Sequence, residues 1–332
     1  MNKFLLTILL SLTFITADAQ LFGTKEQRMA RRELRRSRRS AMTLTGEIQL
    51  SGAFALYPLA VRWQEEFRKL YPRVKIDISA GGAGKGITDA LSGVVDLGMV
   101  SRQVYPAEIE KGAYVISVAR DAVVPTINSR NPLIIEVLTH GLTQQMAGRI
   151  WGGKVHWWGE VIGHQTTLVP LHAYTRSDAC GAAETWGSWF GLRQEQIDGL
   201  AVFGDPGVAS VVQKDKIAIG FNNIAYAYDL RTKKPHRGIM VMPIDLDGNG
   251  RVDLNENFYS TLTELNAAIA DGRYPMPPAR ELYLVSKGKP TRPEVVAFLE
   301  YILSEGQLIA PEAGFIPLTD VVLEEQLMKI DD

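Results

Sequence analysis

An arginine and the chain's single cysteine lie four residues apart in the segment RSDACGAAETW, residues 176–186. Arg176 offers a permanent positive charge and five N–H donors in a planar fork that suits pairs of oxygen atoms. Cys180 and the small residues after it stand where a predicted strand gives way to a predicted helix. The segment is therefore compatible with two kinds of site: a nucleophilic cysteine, or a cradle of backbone N–H groups for an anion.

A nucleophilic Cys180 would need a base to activate it. Of the five histidines, His172 is the nearest along the chain, and nothing in the sequence pattern positions it as that base. We therefore expect Cys180 to be a small buried residue and the protein not to be an enzyme. An extracytoplasmic enzyme that uses Cys180 stays open as the less favoured hypothesis.

Two further turns share the design of the first. SGAFALYP (51–58) and AGGAGKGI (80–87), like RSDACGAA (176–183), place small residues between a predicted strand and a predicted helix. A helix start presents unpaired N–H groups and a partial positive charge of about +0.5, which together favour an anion. The three turns predict an oxyanion site; the alternative is that they are ordinary tight turns.

The segment DLDGNGRVDLNE, residues 245–256, has the spacing of a twelve-residue calcium loop. Such loops take ligands from positions 1, 3, 5, 7, 9 and 12, with glycine at position 6. Strand-like residues precede the segment, so we expect one structural calcium ion rather than a paired sensor; the alternative is an acidic surface turn. The predicted ligands are Asp245, Asp247, Asn249, Arg251 through its carbonyl, Asp253 and Glu256.

Strand and helix patterns alternate from about Leu44 onward, which predicts an α/β fold with parallel strands covered by helices. Two long extended runs, 114–132 and 273–288, interrupt the alternation. Such runs can cross twice between two lobes that close on a ligand. We predict lobe 1 from residues 44–122 plus 279–332, and lobe 2 from residues 123–278.

The N-terminal 43 residues are expected to lie outside these lobes. A positive start, an apolar run that is too short to span a bilayer, and an A-x-A signal predict a signal peptide over 1–19, cleaved after Ala19. The basic segment within residues 20–43 is either a solvated arm or attracted to an anionic membrane surface or partner. Residues 41–332 then hold 27 Lys/Arg against 34 Asp/Glu, which gives no broad basic surface for nucleic acid. A single cysteine excludes an internal disulfide.

Several segments in one order resemble the periplasmic phosphate-binding proteins of ABC phosphate importers. The resemblance spans about residues 44–320, and its segments are SGAFALYPLAVRWQEEF, AGGAGKGITDALSGVVDLGMVSR, LTQQMAGRIWGGKVHWWGEV, RSDACGAAETW, IAIGFNNIAYA and FLEYILSEGQLIAPEAGFIPL. It implies the type II periplasmic binding fold, with two mixed sheets flanked by helices and joined by two hinge crossovers. It further implies a periplasmic monomer that captures inorganic phosphate or a related oxyanion for an importer permease in the inner membrane.

The resemblance also implies which residues contact the anion. The family usually carries hydroxyl groups where this chain has Leu56, Ala83, Cys180 and Ala182, and its phosphate binders carry an aspartate where Ser101 stands. Those differences leave open a different oxyanion, or a sensory or scaffold protein that kept the fold and lost phosphate binding. The implied contact residues are Ala55, Leu56, Tyr57, Ala83, Gly84, Ser101, Arg176, Cys180, Gly181 and Ala182. Arg102, which follows Ser101 directly, is expected to bring a second positive charge to the same site.

Overall fold

A computed structural model describes residues 44–331. The predicted signal peptide and basic arm lie outside the described residues. Within 44–331, no helix combines the length and the apolar character that a bilayer span requires.

Strands and helices alternate along the described part, as the sequence pattern predicts. The strands are β1 (Gly46–Gly52), β2 (Val74–Ala80), β3 (Leu97–Val100), β4 (Ala113–Asn128), β5 (His172–Arg176), β6 (Leu200–Val202), β7 (Ala218–Asn223), β8 (Ile239–Val241) and β9 (Ala279–Lys287). The helices are α1 (Tyr57–Leu70), α2 (Ala83–Ser92), α3 (Pro106–Glu110), α4 (Ile134–His140), α5 (Gln144–Ile150), α6 (Trp158–Val161), α7 (Gly181–Trp189), α8 (Gly204–Lys214), α9 (Ile224–Ala227), α10 (Leu262–Ala270), α11 (Pro293–Ile302) and α12 (Asp320–Asp331).

Eight of the described strands follow one another in the hydrogen-bonded order β2-β1-β3-β9-β4-β7-β5-β6, and β8 pairs with β4 beside that path. The pairs β1–β2, β1–β3, β5–β6 and β5–β7 are parallel. The pairs that β4 and β9 make are antiparallel. The sheet is therefore mixed: the strands near each end of the path pair in parallel, and the two long strands, β4 and β9, pair antiparallel in the middle.

Strand β4 passes from one lobe to the other. It pairs with β9 as far as Ala122↔Ala279 and then with β7 from Val123↔Asn223 onward. Two hydrophobic cores flank this change of partner. One packs β1, β2, β3, β9 and the first half of β4 against α1 and α11, and the other packs the second half of β4 and β7 against α5, α7 and α10. We call the first lobe 1 and the second lobe 2.

The local sequence explains how α1 is set in lobe 1. Leu59, Trp63 and Phe67 recur at helical spacing and are all fully buried. The N–H of Tyr71 caps the last turn by bonding the carbonyl of Phe67, and Pro72 follows where the helix can no longer continue. The buried face packs α1 against the core of lobe 1, and the helix begins a few residues after the carboxyl end of β1.

Candidate functional site

The three small-residue turns meet between the lobes, beyond the carboxyl ends of β1, β2 and β5. The N–H of Gly84, in the first turn of α2, donates to the carbonyl of Ala179 in lobe 2 over 3.1 Å. The ring of Phe54, in the turn after β1, lies over the Arg176 guanidinium with 5.6 Å between its centroid and Cζ. Ligands of open α/β sheets bind at this end of the strands.

Two glycines permit this close approach. Gly82 caps the start of α2 with φ +92°, a conformation that favours glycine, and a Cβ there would lie 2.7 Å from the Ala179 carbonyl oxygen. Gly181, the first residue of α7, lies against Ser101 across the lobes. A Cβ on Gly181 would stand 2.5 Å from the Ser101 carbonyl carbon. The glycines thus set the distance between the lobes.

Arg176 is buried, with 1% of its side chain exposed, and two carboxylates hold it. Its Nε and Nη2 atoms donate to the two oxygens of Asp178 over 2.8 and 2.6 Å. Its Nη1 atom donates to Asp205 Oδ2 over 2.5 Å. Burial acts to lower the pKa of Arg176, but the carboxylates outweigh burial and raise it, so the guanidinium stays charged.

This pairing changes the electrostatics that the sequence suggests. Two carboxylates face one guanidinium, so the cluster offers an anion no net positive charge. Three of the five Arg176 N–H donors are used by the carboxylates, which leaves two, one on each Nη atom. An oxyanion at this point would depend on those two donors and on backbone N–H groups rather than on net attraction.

Helices α2 and α7 supply such backbone groups. The first intrahelical donor of α2 is Gly86, which bonds Gly82 O, and the N–H groups of Ala83 and Lys85 precede it. In α7 the N–H of Ala183 bonds Cys180 Sγ and that of Glu184 bonds Cys180 O. The N–H groups of Gly181 and Ala182 therefore have no partner within their helix.

The start of α1 offers fewer donors than the turn pattern suggests. The N–H of Leu56 bonds Ala53 O, the N–H of Tyr57 bonds Phe54 O, and Pro58 has no N–H. This turn reaches Arg176 through the Phe54 ring instead.

Five of the implied contact residues have buried apolar side chains. Leu56, Ala55 and Ala83 belong to the core of lobe 1, and Cys180 and Ala182 to that of lobe 2; each is at most 5% exposed. Their side chains cannot replace the hydroxyl groups of the resembled family, so only their backbone could contact an anion.

Arg102 lies beside Ser101 in sequence but turns to its own loop. Its Nη atoms donate to both carboxylate oxygens of Glu108 over 3.0 and 2.7 Å, and its guanidinium stacks on the Tyr105 ring with 4.2 Å to the centroid. The Tyr105 hydroxyl then donates to Glu184 in lobe 2 over 2.8 Å. Arg102 thus supports a contact between the lobes, and the structure gives no support to a second positive charge beside Arg176.

The surroundings of Cys180 oppose a nucleophilic role. Burial is the main reason that the pKa of its thiol is raised to about 12, despite the opposing effect of Arg176. His172 Nδ1 is hydrogen-bonded to Asp215 Oδ2 over 2.7 Å, and His172 is half exposed. The thiol therefore stays protonated at neutral pH, and the nearest histidine in the sequence is engaged elsewhere.

The segment 245–256 forms a compact loop between β8 and α10. Asp245, Asp247 and Glu256 each bring one carboxylate oxygen within 4.8 Å of the others. Asp245 accepts the N–H of Gly250 over 2.9 Å. Both Asp245 and Glu256 are 2% exposed.

The other predicted ligands lie around this group. Asn249 Nδ2 donates to Asp247 over 3.1 Å and to Asp253 over 2.9 Å. The Asp253 carboxylate also pairs with Arg251 Nε over 2.9 Å. A divalent cation would be held first by Asp245, Asp247 and Glu256, and Asp253 would have to turn from Arg251 to join them.

Several residues of the cleft carry little signal in the sequence. Asp178 lies in the segment RSDACGAAETW, but the sequence of that segment does not show that the Asp178 carboxylate pairs with Arg176. Asp205 lies in the first turn of α8, in the segment Phe203-Gly204-Asp205-Pro206, and its Gly-Asp-Pro sequence could have indicated a turn there. Phe54 carries no comparable signal, because only the closure of the lobes brings it to Arg176.

Comparisons with known proteins agree with this architecture. The phosphate-binding protein PstS of Pseudomonas aeruginosa is 28% identical over 318 residues, covering 87% of this chain and 88% of the relative. The protein of the same name from Bacillus subtilis is 24% identical and covers 96% of this chain and 95% of the relative.

Solved structures show the same fold. A putative phosphate ABC transporter substrate-binding protein with bound phosphate, from Clostridium perfringens, aligns with a TM-score of 0.67 at 22% identity, over 82% of this chain and all of that one. An ABC-type phosphate transport receptor from Vibrio cholerae aligns with a TM-score of 0.60 at 18% identity over the same shares. These likenesses confirm the predicted two-lobed type II periplasmic binding fold. The model of the PBP superfamily domain matches residues 38–306, most of the chain, and the protein therefore belongs to the PBP superfamily.

Proposed function

We propose that the protein captures phosphate or a related oxyanion between its lobes and presents it to an ABC importer. The names of its relatives in Pseudomonas aeruginosa and Bacillus subtilis, and the phosphate bound to the similar protein from Clostridium perfringens, support this class of ligand. We further propose that the protein acts outside the cytoplasm as a monomer, with a permease as its membrane partner, and that it performs no chemistry on the anion.

The observation that carries the proposal is the position of Arg176. Two carboxylates orient its guanidinium where the starts of α2 and α7 converge, and two of its N–H donors remain. Those donors and the first N–H groups of α7 could bind one oxyanion together. The side chain is almost fully covered, so we infer that the lobes open to admit the anion.

Calorimetric titration of the chain, purified without phosphate, with phosphate and with sulfate tests this proposal. We expect saturable heat with at least one of them. Arg176→Lys keeps the charge but loses the fork, and should weaken binding at least tenfold. Arg273→Lys is the matched control, because Arg273 is half exposed and its guanidinium contacts Asp271 and the Phe258 ring. A wild-type protein silent with both anions would remove the proposal.

A second candidate is a sensory or scaffold protein that kept the fold and lost the anion. It is favoured by the coverage of Arg176 by Phe54 and by the two carboxylates that outnumber it. A thermal-shift panel of phosphate, sulfate, phosphonate and carboxylate anions separates the two. Stabilisation by an anion in wild type but not in Arg176→Lys supports capture, whereas no response across the panel supports the second candidate.

We also propose that the loop 245–256 binds a structural calcium ion. Its donors are oxygen atoms, which calcium prefers, and two of its carboxylates are nearly fully buried. Buried carboxylates are costly unless hydrogen-bonded or paired with a cation. Backbone N–H groups already bond Asp245 and Glu256, and a cation between the carboxylates would balance the charge that remains.

Thermal unfolding in calcium against chelator tests the calcium proposal. A bound ion should raise the midpoint in proportion to the logarithm of its concentration above Kd. Glu256→Gln should abolish that rise, whereas Asp271→Asn, on an exposed turn, should retain it. A wild-type midpoint that millimolar calcium leaves unchanged would contradict the proposal.

A further inference from the structure

Arg280 is a second buried arginine, and it has no donor left for a ligand. Its Nε and Nη2 atoms donate to Asp121 over 2.8 and 3.2 Å. Its Nη1 atom donates to the Gly181 carbonyl over 2.6 Å and to Thr185 Oγ1 over 3.1 Å, and Nη2 also donates to Asn223 Oδ1. These five contacts match its five N–H groups, and the residue is 6% exposed.

Arg280 stands where the chain crosses between the lobes. It is the β9 partner of Asp121 on β4, one residue before the last β4–β9 pair, Ala122↔Ala279. The next residue of β4, Val123, pairs with Asn223 of β7. The Arg280 side chain therefore ties both hinge strands to the first strand pair of lobe 2.

From this point, direct hydrogen bonds lead to the candidate site along two routes. Asn223 donates to Asp205 through its backbone N–H (2.9 Å) and its Nδ2 (2.8 Å), and Asp205 holds Arg176. The second route is the contact of Arg280 with Gly181 and Thr185, which lie in the first turns of α7. Both groups that would bind the anion, the guanidinium and the α7 start, are thus anchored on Arg280.

We propose that Arg280 is a positioning residue for anion capture: it sets Arg176 and the start of α7 relative to the hinge strands without contacting the anion. All five Arg280 donors are paired, and buried hydrogen bonds of this kind make the groups they join rigid, so loss of Arg280 would release those groups. The inference rests on the proposed capture of an oxyanion at Arg176.

Two variants test it. Arg280→Lys keeps one charge but cannot make the five contacts, and Thr185→Val removes one acceptor with little change in shape. Arg292→Lys is the matched control, because Arg292 lies on the surface of lobe 1 and pairs with Asp96 and Glu294. Phosphate affinity is measured by calorimetry well below each variant's unfolding midpoint, so that a loss of stability alone does not change it.

A second readout does not need a ligand: the exchange rate of the Arg176 Nε proton, followed by NMR. We expect Arg280→Lys to accelerate that exchange and to weaken phosphate binding at least tenfold, with Thr185→Val two- to threefold weaker and Arg292→Lys unchanged. Folded Arg280→Lys with wild-type exchange and wild-type affinity would overturn the inference while leaving capture intact. If Arg280→Lys accelerates the exchange but the wild-type protein does not bind phosphate, the positioning role of Arg280 is supported and the proposed function is refuted.

Discussion

Substitution of Gly181 by alanine tests whether the lobes close as the structure shows. Gly181 begins α7 and has no positive φ, so alanine suits its backbone. The added Cβ would stand 2.5 Å from the Ser101 carbonyl carbon, whereas carbon atoms normally approach to about 3.5–4.0 Å. The lobes would therefore have to separate by about 1 Å at this contact.

A separation of that size removes specific bonds. The distance from Gly84 N to Ala179 O would grow from 3.1 Å to about 4 Å, beyond hydrogen-bonding range, and the bond from Tyr105 to Glu184 would lengthen similarly. At about 0.5–1.5 kcal/mol net for each bond, the closed form loses about 1–3 kcal/mol. Anion affinity should fall about 5- to 150-fold, because only the closed form presents both sets of donors.

Calorimetry gives the affinity, and small-angle scattering with and without phosphate gives the degree of closure. Gly148→Ala is the matched control: Gly148 lies within α5, and its added Cβ would meet Phe190 Cβ at 3.3 Å, inside lobe 2. We expect Gly181→Ala to fold normally and to remain more open. Wild-type affinity and wild-type closure in Gly181→Ala would refute the reasoning.

Three further predictions concern the contacts around the cleft. Tyr105→Phe removes the hydrogen bond to Glu184 and should weaken anion binding about two- to tenfold in calorimetry. Tyr114→Phe is the control and should leave binding unchanged, because the Tyr114 hydroxyl bonds within lobe 1. Equal effects of the two variants would contradict the role of Tyr105 between the lobes. Because the pKa of Cys180 is raised to about 12, about one thiol in ten thousand is ionised at pH 8. Iodoacetamide should therefore label Cys180 only after the protein is unfolded. Rapid labelling of the folded protein would be inconsistent with the burial of this thiol. The same shift makes the folded state bind the thiol proton more tightly than the unfolded state does, so this thiol should lower the free energy of unfolding as pH rises from about 9 towards 12. Urea unfolding of wild type and Cys180→Ala across that pH range measures the effect. If Cys180→Ala loses as much stability as wild type, other groups cause the loss.

The fold was accessible from the sequence because its signals are local. Turns of small residues follow regular strands, and the runs that form β4 and β9 are long and extended. Parallel pairing places the turns after β1 and β2 at one edge of a sheet, whereas β5 lies in the other lobe and runs opposite to β1, so its turn meets theirs because the two lobes face each other across the crossover. That much requires no knowledge of which side chains pair.

The charge balance of the site was not accessible. Asp205 lies 29 residues after Arg176, and only the β5–β6 pairing and the start of α8 bring it within 2.5 Å. Arg102 follows Ser101 directly, yet Glu108 takes its guanidinium, because neighbours on a chain can point in opposite directions. The position of Arg280 opposite Asp121 depends on the register of β4 with β9, and the hydrophobic pattern of the sequence does not specify that register.

A crystal structure grown with phosphate tests the central claim most directly. We expect a tetrahedral anion within hydrogen-bonding distance of the two remaining Arg176 N–H donors and of the Gly181 and Ala182 N–H groups, with Phe54 displaced. Phosphate bound elsewhere, or a cleft still filled by Phe54 in saturating phosphate, would contradict it.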